Sequence, residues 1–427
     1  MSSSSVPSRH DRCPAGSYGW PPLIATAALF FLIGFVTWLN GPLIAFVRVA
    51  FSLSDTGAFL VPFVFYLSYL FFALPAAWIT DRMGLRRGLA LALAIMSIGT
   101  ALFGQFVAAR SYSGALAGLL VLGCGLTQLQ VTVNPYVSLL GPHDRAAQRI
   151  AIMGLCNKCA GILAPIVLAV LVMHNIGGVV EAAQNAPSSA AREIILSGFA
   201  QAIYHPYLIM AGVLFLASLA VAFSRLPDPV RPVGTALPSG RLSMSPRLTF
   251  GILTTFLYVG VEVLAGDAIG TYGQGFGLPL EQTRFFTAFT LTGMMVGYVL
   301  GLVCVPRFLS QQHAMMLSSL AGVFFALTAL FTHGYLSVLC VAFLGLANAM
   351  IMPALFPMAI RDSGSHVARA SALLVMAFSG GAFVPQIFAL LKPLIGFQDA
   401  FTALALTAYV VILFYNLRFG GEKYDNT

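Results

Sequence analysis

Apolar residues in this chain come in long runs separated by short polar gaps. A helix needs about 20 predominantly apolar residues to cross the hydrocarbon core of a bilayer. Runs of that kind lie near 22–50, 58–80, 88–107, 114–140, 150–173 and 203–224. A polar stretch rich in Pro and Arg follows, from Arg225 to Arg247. Six further runs lie near 248–270, 283–304, 314–332, 336–360, 370–391 and 396–417. The pattern predicts an all-α membrane protein of twelve transmembrane helices in two six-helix bundles, 22–224 and 248–417. A segment 1–21 precedes them, a linker 225–247 joins them, and a tail 418–427 follows.

Composition agrees. Hydrophobic residues make up 59% of the 427 and charged residues only 8%, too few to cover a soluble surface. The 41 Gly and 34 Phe suit helix packing in lipid. Residues 1–20 are polar and Ser-rich and lack the layout of a signal peptide, so the first apolar run reads as a retained helix.

Charge then sets orientation. Five basic residues fall on one side of the twelve spans (Arg48, Arg110, Arg192, Arg284, Lys392), Lys158 lies within the fifth, and the remaining sixteen of the 22 fall on the other. The positive-inside rule places those sixteen in the cytoplasm, with both termini and the linker. The segment 174–201 then faces outward. The net charge of +8 is spread over the loops and forms no patch for nucleic acid. Six cysteines (13, 124, 156, 159, 304, 340) form no disulfide framework, and the pair Cys156–Cys159 has no companion ligands for a metal.

The halves repeat weakly, as in transporters built from duplicated bundles. Arg149, Gly161 and Pro165 pair with Arg369, Gly381 and Pro385. Gln130 and Pro135 pair with Asn348 and Pro353, and Leu39 and Gly41 with Leu264 and Gly266.

Between helices 2 and 3 the chain reads Asp81-Arg82-Met83-Gly84-Leu85-Arg86-Arg87. This resembles the cytoplasmic loop signature of the major facilitator superfamily, G-x-x-x-D-R-x-G-R-R, with Ala77 in place of the leading Gly. An Asp there can face a helix N-terminus, while the arginines hold the loop inside. Asp81, Arg82, Gly84, Arg86 and Arg87 are thus the expected conformational loop. Within the superfamily the chain is similar to the fucose permease and glucose/galactose transporter group, through GFVTWLNGPLI, NPYVSLLGP, YVGVEV…GD and LVMAFSGGAFVP. The resemblance implies a secondary transporter for a monosaccharide, working as a monomer in a bacterial inner membrane. Proton-coupled members carry acids where this chain has Gly41 and Gln130, so the coupling ion, H⁺ or Na⁺, stays open.

Ionisable groups inside a span cost about 2.5–3.5 kcal/mol on insertion scales and need a reason. Glu262 lies deep in helix 7, and Thr37 is its repeat partner. Asp267 is expected nearer the external mouth. Lys158 either snorkels toward the cytoplasm or pairs with a buried carboxylate. These three are the candidates for binding a coupling ion or proton. Asn40, Gln130, Asn134, Asn157, Asn348 and Gln386 are candidate sugar ligands, because amides both donate and accept. Trp38 is a candidate apolar plate for a pyranose ring. No other cofactor is expected, and no phosphate-binding loop for an ATPase exists. Rival readings are a uniporter, an exporter of another small organic solute, and a sugar-sensing receptor.

Overall fold

The computed structural model describes residues 20–139, 146–224, 226, 244–305 and 307–420. Among them are twelve helices long and apolar enough to span a bilayer. In the first half these are α1 (Pro21–Ala50), α2 (Asp55–Met83), α3 (Leu85–Ala108), α4 (Tyr112–Val133), α5 (Ile152–Leu171) and α6 (Ser189–Phe223). In the second they are α7 (Pro246–Asp267), α8 (Leu280–Cys304), α9 (Gln311–Phe331), α10 (Gly334–Ser363), α11 (Arg369–Ile395) and α12 (Phe397–Phe419). No strand occurs among the described residues. In lipid a backbone must satisfy its own polar groups, and a helix does so within one segment.

Several spans are interrupted, among them α1, α7 and α10. α1 runs as Trp20–Thr37, turns at Trp38 and Leu39, and resumes as Asn40–Ala50. Pro42 explains the turn, for its ring excludes the carbonyl four residues back, that of Trp38, and it has no N–H to donate. α7 ends at Asp267 and continues after Ala268 as Ile269–Gly275. A second proline, Pro353, stands four residues after the interruption of α10 at Ala349 and Met350.

The internal repeat recurs as equivalent packing. In the first half a Cβ on Gly161 of α5 would collide with Trp38 of α1. In the second half a Cβ on Gly381 of α11 would stand 3.0 Å from Val263 of α7, the repeat partner of Trp38. Within each half, glycines also bring backbones together. Gly99 of α3 abuts the backbone of Leu122 in α4, Gly345 of α10 the carbonyl of Thr290 in α8, and Gly380 of α11 the carbonyl of Phe256 in α7.

The halves meet along two seams that exchange under the repeat, α2 on α11 and α5 on α8. Here side chains make the contact. Phe59 faces Phe388 at 5.9 Å between ring centres, Phe63 faces Phe383 at 5.5 Å, and Tyr69 faces Phe378 at 5.7 Å. On the other seam Cys159 Sγ lies 3.7 Å from Met295 Sδ, and a Cβ on Gly154 would stand 3.4 Å from the Tyr298 ring.

One end of the molecule, which bears Asp55, is tied shut across the halves. Asp55 accepts from Arg48 at 2.8 Å and from Lys392 of the other half at 2.5 Å. Arg48 also bonds Gln274 of the second half. Gln386 of α11 donates to the Thr56 carbonyl at 3.2 Å. Arg284 of α8 reaches the carbonyls of Ala169, at 3.2 Å, and Met173.

The opposite end carries the Asp81–Arg87 loop. Gly84 joins α2 to α3 at φ 83°, a left-handed conformation that glycine adopts without strain. Arg82 stacks on Trp78, 4.0 Å from the ring centre. Arg86 donates to the Ser224 carbonyl at 2.9 Å, closing the C-terminal end of α6. Arg87 is exposed, as are Asp81 and Arg82.

Candidate functional site

A largely buried ion pair sits where α1, α5 and α7 meet. Lys158 Nζ lies 3.0 Å from Glu262 Oε1, and the two side chains are only 8% and 14% exposed. The pair joins the two halves, since Lys158 is on α5 and Glu262 on α7. Lys158 therefore does not snorkel. Its ammonium also lies 4.5 Å from the centre of the Trp38 ring, within cation–π range. Tyr258, Tyr298 and Tyr409 stand close enough to interact electrostatically with Glu262.

Trp38 is 3% exposed. Its ring fills notches left by Gly161 on α5 and Gly266 on α7 and packs with Leu291, Met294 and Ala349. In this state it offers no open face to a sugar; it lies against the ammonium instead. The sequence shows an aromatic beside Asn40 but not the glycine notches that turn it inward.

Asp267, expected nearer the external mouth, lies toward the Asp55 end of α7. It is 1% exposed, sealed beneath the closed Asp55 end. Neither carboxylate oxygen completes a hydrogen bond.

The amides separate into different environments. Gln130 Nε2 donates to the Tyr69 hydroxyl at 2.7 Å, and Tyr69 stacks on Tyr66 and touches Phe378. Asn40 is buried with its Nδ2 unpartnered. Asn157 donates to the Phe30 carbonyl at 3.3 Å, tying α5 to α1. Asn348 is fully buried; its Oδ1 accepts from the Tyr409 hydroxyl at 2.9 Å, and its carbonyl from Tyr258 at 3.2 Å. Gln386 belongs to the closed end. The Asn134 side chain lies outside the described residues. Gln130 is thus the amide beside the aromatic seam, while Asn157, Asn348 and Gln386 serve helix-to-helix bonds.

Sequence reasoning missed the seam itself. Phe59, Phe63, Tyr66 and Tyr69 recur every three or four residues, one face of α2. That spacing was the available signal, masked by 34 Phe in an apolar chain.

Two six-helix halves, hinged on side-chain seams around a buried ion pair and closed at one end, define a transporter of the alternating-access type. The match of residues 26–385 to the Major Facilitator Superfamily family model makes the chain a member of that superfamily. It is 30% identical over 406 residues to a glucose/galactose transporter of Brucella abortus, covering 94% of each chain. A putative glucose/galactose transporter of Helicobacter pylori is 26% identical, covering 94% of this chain and 97% of that one. The crystal structure of the Escherichia coli fucose:proton symporter matches with a TM-score of 0.74 at 20% identity, covering 94% of this chain and 99% of that one. The expected superfamily and the twelve-helix fold are borne out.

Proposed function

We propose that this protein carries a monosaccharide of the glucose, galactose or fucose type across a bacterial inner membrane, driven by a cation gradient. The halves rock about the seams, so that the sugar meets one side of the membrane at a time. The Asp55 end faces outward and the Asp81–Arg87 end, with both termini, faces the cytoplasm, a reading supported by the excess of basic residues in the loops on that side. The chain acts as a monomer.

The observation that carries the reading is the Gln130–Tyr69 pair on the α2–α11 seam, in a chain alike end to end to proteins named glucose/galactose transporter. An amide answers hydroxyls as donor and acceptor. Tyr69 and Phe378 supply the flat apolar faces that the C–H side of a pyranose needs. Because the seam lies between the halves, a sugar bound there touches both and senses their movement.

Reconstitution into proteoliposomes tests it. Radiolabelled glucose, galactose and fucose are offered with a pH gradient or a Na⁺ gradient imposed separately. One of them should accumulate above equilibrium under one gradient. No uptake of any of the three would end the sugar reading, and equilibration without accumulation would make the protein a uniporter.

A further inference from the structure

Among the described residues, the meeting place of α1, α5 and α7 holds two carboxylates and one ammonium. Lys158 is committed to Glu262 at 3.0 Å, with its other face on Trp38. Asp267, five residues along α7, has no cation and no completed hydrogen bond, although it is 1% exposed. An ionised carboxylate in that state is costly, since burial strips its water and nothing replaces it. With all three groups ionised the cluster carries one uncompensated negative charge. Such a group persists in a fold when something positive joins it.

The surroundings show where. Asp267 is the last residue before the interruption of α7, and Gly41 lies just after the interruption of α1. The two interruptions meet. A Cβ on Gly41 would stand 3.3 Å from both the Asp267 Cα and its Oδ1, and would strike the Thr287 hydroxyl of α8. The missing side chain at residue 41 therefore lets the Asp267 carboxylate and the Thr287 hydroxyl close in on the α1 backbone, two oxygens packed side by side with no room for a methyl group. The Gly41 N–H faces the carboxylate outside bonding geometry. Discontinuous helices of this kind free backbone groups around ion sites in transporters. The other titratable groups acting on Asp267 are Glu262 on its own helix and Tyr66 on α2, with Lys158 beyond Glu262.

We infer that Asp267, at the crossing of the α1 and α7 interruptions, is a binding site for one small monovalent cation, a proton or a sodium ion. Glu262 is not that site, because Lys158 already holds it. The use of the cation to drive sugar rests on the transport reading above; its binding does not.

The test uses purified full-length protein in lipid nanodiscs without sugar. Infrared difference spectra on acidification report a protonated carboxyl band, and radioactive sodium reports Na⁺ binding. Wild-type protein should give one of the two signals, and Asp267→Asn should lose it. Asp267→Ser, which also lacks the carboxyl group, stands in should the Asn variant misfold, and Gly41→Ala separates the sources. A methyl group there forces the Thr287 hydroxyl away from Asp267, which takes an oxygen from a sodium ion, so the Na⁺ signal falls, but leaves the carboxylate able to take a proton, so the carboxyl band stays. Neither signal in the wild type, or either one unchanged in Asp267→Asn, overturns the site. A protein that takes up hexose but gives neither signal loses this inference alone. One that gives the signal but takes up no hexose loses only the sugar reading.

Discussion

Lys392 lies 2.5 Å from Asp55, and the two belong to opposite halves of the molecule. Their side chains are 22% and 24% exposed, a setting in which one link contributes about 0.2–1 kcal/mol. Lys392→Ala should therefore shift the ratio of closed to open molecules by a factor of about five at most, Arg48 still holding Asp55. Spin labels at Asn185 and His333, on exposed loops of the two halves, would show a larger long-distance fraction. An unchanged distribution would mean that closure rests on Gln386 and Arg284.

Breaking the buried pair should cost far more than removing it. Lys158→Ala strands the Glu262 charge, a loss of about 3–5 kcal/mol for a buried partner. Lys158→Met combined with Glu262→Gln leaves no charge behind and should regain most of the stability. Thermal unfolding of the single and double variants compares them; equal destabilisation would argue that Lys158 acts through packing on Trp38 alone.

Gln130→Ala should weaken sugar binding by about 1–3 kcal/mol, roughly ten- to hundred-fold in Kd, because a buried hydroxyl loses its partner. Tyr69→Phe keeps the ring and removes only the hydroxyl that orients the amide, so its effect should be smaller. Equilibrium binding of the transported hexose measures both. Wild-type affinity in a well-folded Gln130→Ala protein would place the sugar elsewhere.

Much of this architecture is legible in the sequence because lipid imposes one rule on every span. The run near 336–360 emerges as Gly334–Ser363, and that near 314–332 as Gln311–Phe331. Offsets between the halves were readable too, since Gly161 and Gly381 do occupy equivalent packing positions. The segment 174–201 was harder. It contains the short helix Ile176–Gln184 and the first part of α6, Ser189–Gln201, whose mixed stretches carry no twenty-residue apolar signal. The partner of Lys158 was undecidable for another reason: Glu262 is 104 residues away, and only the meeting of two halves brings them together. The aromatic seam hid by lack of contrast, as a Phe that packs against lipid and one that packs against α11 look alike in sequence.

The glycines divide the molecule by what an added methyl group would do. At Gly345 or Gly380 it meets a backbone carbonyl, which has no rotamer to retreat into, so assembly of that half fails. At Gly154, on the α5–α8 seam, it only touches the Tyr298 ring at 3.4 Å, an ordinary contact that leaves the fold intact while adding bulk between the halves. Sequence drift is thus tolerated unequally. Inside each half it is purged as misfolding, whereas along the seams it can retune the speed and bias of the transport cycle in a protein that still folds.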